Sequence, residues 1–248
     1  MLAIGITMTN YQMLNNVAHK DLRVITRRGA DLGDAVAGCA VYPGEFNEIQ
    51  KHYPILFQRT DDGRWLTICL LGFESNENLF LAGDSWAAPY IPAIIEREPF
   101  VIGMKETLDG RVDAVVNIDL ANPRIARGEE GELLFLPQGG HSAYLEKITR
   151  VLSLLHEGVA EVESMLNEFE RLELIEPIRL EITFANGTNF ISNRYATINK
   201  SRLLALPDNE IAQLHRNGML RYAYLIIGSF SNIQSLVDIK NTKLLQQS

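Results

Sequence analysis

Between residues 145 and 169 the apolar side chains fall at Leu145, Ile148, Leu152, Leu155, Val159, Val162, Leu166 and Phe169, in alternating steps of three and four. Only a helix with one buried stripe has that period. At 1.5 Å per residue the stripe runs for roughly 37 Å, so the rest of the chain must supply apolar surface along about that length. The opposite face carries Glu157, Glu161, Glu163, Glu168, Glu170 and Glu173, and from Ser142 to Glu176 eight acids stand against three bases. A solvated helix surface accounts for these charges better than paired catalytic carboxylates do, because a catalytic acid needs burial to move its pKa. Pro177 is expected to end the helix.

The residues before Gly139-Gly140 read differently. Tyr53 to Arg59 and Arg64 to Leu71 are apolar-rich runs on either side of Thr60-Asp61-Asp62-Gly63, where Asp-Gly supplies the positive φ that a tight hairpin wants. Phe100 to Thr107 and Arg111 to Asp119 repeat the design around Asp109-Gly110, with Val112, Ala114, Val116 and Ile118 making one apolar face of the second arm. Asn78 to Leu81 reads as a short strand, and Pro43 to Lys51 as a short helix with proline near its start. Beyond the long helix, Arg179 to Phe184 and Asn189 to Ala196 flank Asn186-Gly187, a further hairpin. Leu206-Pro207-Asp208 opens a helix that Gly218 ends, and Met219 to Ile239 continues as one or two helices.

This order predicts an α+β fold rather than a doubly wound one. An antiparallel, sheet-rich N-terminal half with hairpins is followed by a long amphipathic helix, a further hairpin and C-terminal helices. A single domain is expected over residues 19–240, strand-rich over 19–138 and helix-rich over 139–240. Residues 1–18 and 241–248 are expected to be peripheral tails.

Hydrophobic residues make up 46% of the chain and charged residues 22%, which favours a packed core over disorder. The net charge of −8 argues against nucleic acid or an anionic membrane as a general partner. No uncharged apolar run approaches the roughly 18 residues that cross a bilayer. The opening MLAIGITMTN has no basic residue ahead of its apolar stretch, so no signal peptide is expected, and Met8 and Met13 are alternative starts. Cys39 and Cys69 lie in apolar, strand-like runs, and their expected role is core packing in a reducing cytoplasm, with a single disulfide or a reactive thiol as the alternatives.

Signatures of cofactor chemistry are missing. There is no G-x-G-x-x-G after a strand, no phosphate loop and no C-x-x-C, and the five histidines are never spaced for two ligands on one helix turn. No metal and no other cofactor is therefore expected. Gly83-Asp84-Ser85-Trp86-Ala87 lacks the last glycine of a nucleophile elbow.

The segment from Asp61 to Phe100 is the candidate ligand or partner site. Its residues are Arg64, Trp65, Glu77, Asn78, Asp84, Trp86, Tyr90 and Arg97, with His215 added from a later helix. Trp86-Ala87-Ala88-Pro89-Tyr90-Ile91-Pro92 is too rich in proline and aromatics for a regular strand, and such a loop presents rigid aromatic area to a ligand or peptide. The plainer role for Trp86 and Tyr90 is to staple the loop to the core. For His215, near a helix C-terminus, the plainer role is an interaction with the helix dipole.

HYPILFQRTDDGRWLTICLLGFESNENLFL, followed by Trp86-x-x-x-Tyr90-Ile91-Pro92-Ala93 and Glu98-Pro99-Phe100-Val101, resembles the SapC-like family of bacterial proteins. The hairpin from Arg179 to Tyr195, Leu206-Pro207-Asp208, Leu214-His215-Arg216-Asn217-Gly218 and the run through Ser231-Asn232-Ile233-Gln234 agree with it, so the likeness spans roughly residues 19–240. Gly103-Met104-Lys105 and Gly139-Gly140-His141 depart modestly from its pattern. The resemblance implies a bacterial protein linked to surface-protein systems, TonB-dependent uptake or halogenase-associated systems, distinct from the membrane-spanning peptide permease of similar name. It carries over no catalytic residue. The expectation is a non-catalytic binding or accessory protein for a peptide or protein partner. The alternative is a metal-independent enzyme modifying a peptide or small metabolite, with Asp84, Glu77 and His215 as acid/base candidates. A third reading is assembly as a homodimer through the Met219–Ile239 helices.

Overall fold

The computed structural model describes residues 10–106, 109–126 and 128–246. Its strands, in chain order, are β1 (Tyr11–Met13), β2 (Arg23–Val24), β3 (Gly38–Ala40), β4 (Ile55–Arg59), β5 (Trp65–Leu70) and β6 (Leu81–Ala82). There follow β7 (Ser85–Trp86), β8 (Phe100–Glu106), β9 (Val112–Asp119), β10 (Glu132–Leu133), β11 (Ile175–Thr183) and β12 (Asn189–Ile198). The helices are α1 (Phe46–Ile49), α2 (Ala93–Glu96), α3 (Ala143–Arg171), α4 (Lys200–Leu204), α5 (Asp208–Arg216), α6 (Met219–Ser229) and α7 (Asn232–Gln246).

The fold is α+β with antiparallel sheets. Hairpins β4–β5, β8–β9 and β11–β12 close at the three turn dipeptides, whose glycines have φ of 84° at Gly63, 78° at Gly110 and 81° at Gly187. These are left-handed values that a side chain disfavours. Thr107 and the leader residues 1–9 lie outside the described residues.

Two expectations differ, and a third is narrowed. Asn78 does not begin a strand: its side-chain oxygen accepts from the Phe80 amide at 3.0 Å, an Asx turn that delays pairing until Leu81. The run from Met219 to Ile239, expected as one or two helices, is two: it divides at Phe230-Ser231, giving α6 and α7. Pro177 does not stop the long helix, which ends at Arg171; Pro177 lies inside β11.

Chain contacts group the residues into two compact units. The first holds residues 1–34, 83–85 and 93–156; the second holds 35–82, 86–92 and 157–248. Helix α3 thus gives its first half to one unit and its second half to the other.

In the first unit β1, β9 and β8 form a three-stranded sheet in that order, and β2 pairs with β10. Residues 10–18, expected in a peripheral tail, therefore contribute an edge strand. Leu145, Ile148 and Leu152, the start of the apolar stripe, pack with Val24, Phe100, Ile118, Leu134 and Phe135 in one buried cluster. Five charges are woven in beside it: Lys147 pairs with Glu96, Glu96 with Arg28, Arg28 with Asp34, and Asp34 with Arg124.

In the second unit five strands run in the order β11-β12-β4-β5-β3. Leu56, Ile68 and Leu180 form a buried cluster against which Ile178, Phe190, Tyr195 and Ile233 pack. From the second half of α3, Met165, Leu166 and Phe169 are buried, and Phe169 meets Phe57 edge-on at 6.3 Å. Gly158 lets α3 approach closely, since a Cβ there would stand 2.7 Å from that of Tyr42. No helix among the described residues is long and apolar enough to cross a membrane.

Candidate functional site

The expected loop is built around a tyrosine that its own composition did not single out. Tyr53, fully buried at the end of a helical turn before β4, accepts a hydrogen bond from Trp86 Nε1 at 2.7 Å and donates to the Tyr90 carbonyl. The Tyr90 hydroxyl donates to Glu45 Oε2 at 3.0 Å. Trp86 stacks parallel to Phe80 at 6.4 Å, and Phe80 meets Tyr53 edge-on at 4.6 Å. Burial pushes the Tyr53 phenol well above its ordinary range, with the Trp86 bond acting in the opposite direction. Tyr53 therefore stays protonated at neutral pH and serves as a fixed donor and acceptor. Trp86 and Tyr90 keep half-buried ring surface while their polar atoms bind the second unit's interior.

The other expected residues are engaged separately. Within the second unit, Glu77 accepts from the Phe73 amide at 2.8 Å and pairs with Lys240 at 2.5 Å, fastening α7. Asn78 is buried in its turn. Arg64 is exposed and pairs with Asp62 at 2.7 Å across the hairpin tip, while Trp65 is half-buried with the Arg59 guanidinium 4.6 Å over its ring. Hydrogen bonds to Thr60, then to Arg64, hold the Asp62 carboxyl at about 2. His215 is exposed in the last turn of α5. Asp84 and Arg97 belong to the first unit: Asp84 is exposed, 3.9 Å from Arg27, and Arg97 donates to the Phe100 carbonyl at 2.6 Å and pairs with Glu98 at 3.3 Å. Of the nine, Trp86 and Tyr90 are brought together on one hydrogen-bonding partner, Tyr53.

A different site emerges within the first unit, at the place where β1 leaves its neighbour. Tyr11, Gln12 and Met13 pair with Asp119, Ile118 and Asn117, and the Leu14 amide donates to Val116 O at 2.9 Å. There the chain turns away: the Asn15 side-chain oxygen accepts from the amides of Val17 at 3.1 Å and Ala18 at 2.8 Å. β9 extends four residues further, from Val115 back to Val112, and no described strand pairs with it on that side. Backbone groups alternate sides along a strand. Since Val116 faces β1, the N–H and C=O of Ala114 and Val112 also face the open edge, whereas Val115 faces β8.

Beside this edge lies a cavity of 410 Å³. Leu14, Val116, Phe135 and Leu145 give it apolar walls, and Asn15, Asn16, His141 and Thr149 a polar rim. Three of the rim groups are occupied locally: Asn15 by the Met13 carbonyl at 3.3 Å and the amides of Val17 and Ala18, Asn16 by the Gly139 carbonyl at 3.1 Å and Thr149 by the Leu145 carbonyl at 2.9 Å. His141 is exposed, its ring edge-on to Phe135 at 5.9 Å. Sequence reasoning missed this site because β1 sat in a stretch taken for a tail. One usable signal was present: β9 reads as eight alternating residues, longer than any partner before it.

Among the described residues, no three His, Cys, Asp or Glu side chains are gathered as a metal ion would need. No curated relative and no solved structure matches the chain. A model of the SapC family matches residues 14–236, nine-tenths of the chain and parts of both units, and the chain belongs to the SapC family.

Proposed function

We propose that this SapC-family chain is a non-catalytic binding protein that takes up an extended peptide segment along the open edge of β9. One bulky apolar side chain of that segment enters the adjoining cavity. The observation that carries this reading is the juxtaposition of an edge carrying the N–H and C=O of Ala114 with an apolar recess of 410 Å³. An added strand satisfies the backbone groups, and the recess selects the side chain. The volume lies near the low end of the roughly 300–1,000 Å³ usual for ligand pockets, enough for a side chain or two.

The two sheets treat their edges differently, which supports the assignment. Edge strand β11 of the five-stranded sheet carries Pro177 and the charges Glu176, Arg179 and Glu181, devices that discourage pairing. The open part of β9, Val112-Asp113-Ala114-Val115, has one charge and no proline. The partner we have in mind belongs to a surface-protein, TonB-dependent uptake or halogenase-linked system, met in the cytoplasm. The enzymatic alternative gains no support from its candidate groups, since Asp84 and His215 are exposed and Glu77 is paired with Lys240.

The test is selection from a randomised linear-peptide display library on the full chain, followed by affinity measurements. Ala114→Pro removes an amide aimed at the open edge and leaves the β8 ladder in place, so it is expected to abolish binding while the protein stays folded. Trp86→Ala is expected to bind normally. Equal binding by Ala114→Pro would sink the edge reading, and loss on Trp86→Ala alone would return the site to the Asp61–Phe100 segment.

A further inference from the structure

Cys39 on β3 and Cys69 on β5 are register partners, opposite each other on neighbouring antiparallel strands. On either side, the Val41 amide donates to Thr67 O at 3.0 Å and the Leu71 amide to Ala37 O at 2.8 Å. Both flanking pairs share this register two residues away, so Cys39 and Cys69 form a hydrogen-bonded pair, with Cα atoms about 5.5 Å apart. That lies inside the roughly 4.4–6.8 Å a disulfide bridges. The two sulfurs already stand 3.5 Å apart. Cys69 is fully buried and Cys39 is half-buried, which makes Cys39 the one nearer the surface.

We infer that Cys39 and Cys69 are a reversible dithiol–disulfide pair, oxidised through exchange with a small-molecule disulfide. The Cys39 thiolate attacks one sulfur of the reagent and expels its other half as a thiolate. The Cys69 thiolate then attacks Cys39 Sγ, forming the internal bond and expelling the second half. The protein gives up two electrons and two protons, and the reagent takes up both as two free thiols. The hydrogen bond with Cys69, followed by burial, pushes the Cys39 thiol well up, so the thiolate is scarce near neutrality and the first attack is slow. The pair also neighbours the Trp86–Tyr53–Tyr90–Glu45 chain: both thiols raise the Tyr53 phenol further, and Glu45 raises Cys39. Cys69 pairs with Ile55 of β4, two residues after Tyr53, so drawing the sulfurs together from 3.5 Å alters the surroundings of that loop.

The measurement uses the full chain in equal concentrations of oxidised and reduced glutathione. Equilibrium is approached from the native dithiol and from chain refolded in the same buffer, until both give one distribution. Thiols are then alkylated in denaturant and weighed by intact mass spectrometry. The expected product carries no alkyl group, is two hydrogens lighter than the dithiol and remains a monomer on a non-reducing gel. Cys69→Ser is expected to accumulate glutathione on Cys39. In a Trp65→Phe chain, which leaves Trp86 as the reporter, oxidation is expected to change the emission and reduction to restore it. A wild-type equilibrium dominated by free thiols, by the mixed disulfide or by intermolecular dimers overturns the inference.

Discussion

Among the described residues Arg124 is the largest fully buried side chain, and its guanidinium is paired with the Asp34 carboxylate. Both Asp34 oxygens lie 2.6 Å from its Nη2, its Nη1 donates to the carbonyls of Ile25 and Arg27 at 3.2 and 2.9 Å, and its Nε has no hydrogen-bond partner among the described groups. Asp34 also stands 3.7 Å from Arg28 and accepts from the Gly29 amide at 2.9 Å. Removing it would leave the buried Arg124 guanidinium without its paired carboxylate, while Arg28 keeps Glu96, and breaking such a buried pair typically costs about 3–5 kcal/mol. Asp34→Ala is accordingly expected to lower the unfolding free energy taken from urea denaturation by that much, and Asp62→Ala, whose pairing with Arg64 is exposed, to change it little. A loss as small for Asp34→Ala as for Asp62→Ala would mean that water reaches the network. Nothing in the sequence marks Arg28, Asp34, Glu96 and Arg124 as one group. They come from three separated stretches, and charge pairing across the chain has no periodicity to read.

Elements were legible where a single residue dictates the backbone and obscure where tertiary packing does. Asp62-Gly63, Asp109-Gly110 and Asn186-Gly187 announce their hairpins because glycine alone enters the left-handed region at little cost. The end of α3 shows the opposite case. The Leu174 amide donates to Phe169 O at 2.8 Å and the Glu173 amide to Glu170 O at 3.0 Å, with Glu173 at φ 56°. This is a Schellman ending, drawn tight by Phe169 and Leu174, both fully buried. A glutamate holds the position where glycine is usual, so the stop was assigned to Pro177 instead. The left-handed conformation costs a side chain roughly 1–2 kcal/mol, partly offset in glycine by its greater freedom when unfolded. Glu173→Gly should therefore stabilise by about 0.5–1 kcal/mol, even after loss of its exposed pairing with Arg202 at 3.4 Å. Chemical denaturation reads this directly, and a destabilised variant would refute the capping argument. The candidate edge on β9 was hidden for a related reason: its openness depends on where β1 stops.

For the molecule as a whole, the net charge of −8 puts the acid limb of stability in the hands of its carboxylates. Arg27 lowers Asp31, Thr60 and Arg64 hold Asp62 at about 2, and Arg171 lowers both Glu168 and Glu210. A carboxylate lowered in the folded state contributes stability above its unfolded value and loses it as pH falls through the folded one. Glu98 opposes the trend, because burial raises it, and its contribution is lost as pH rises through the folded value. Four groups against one mean that the unfolded chain binds more protons, so stability should climb as pH rises from about 2 to about 5. Asp31 and Asp62 are exposed and screened while Glu168 and Glu210 are half-buried, so the climb should flatten in part in high salt. Calorimetry at stepped pH, at low and high ionic strength, checks both features. In Arg171→Met two of the four lowerings disappear together, and the low-salt slope should be visibly shallower than in the parent. A slope unchanged in that variant would place the acid sensitivity elsewhere than in the Arg171 pairings.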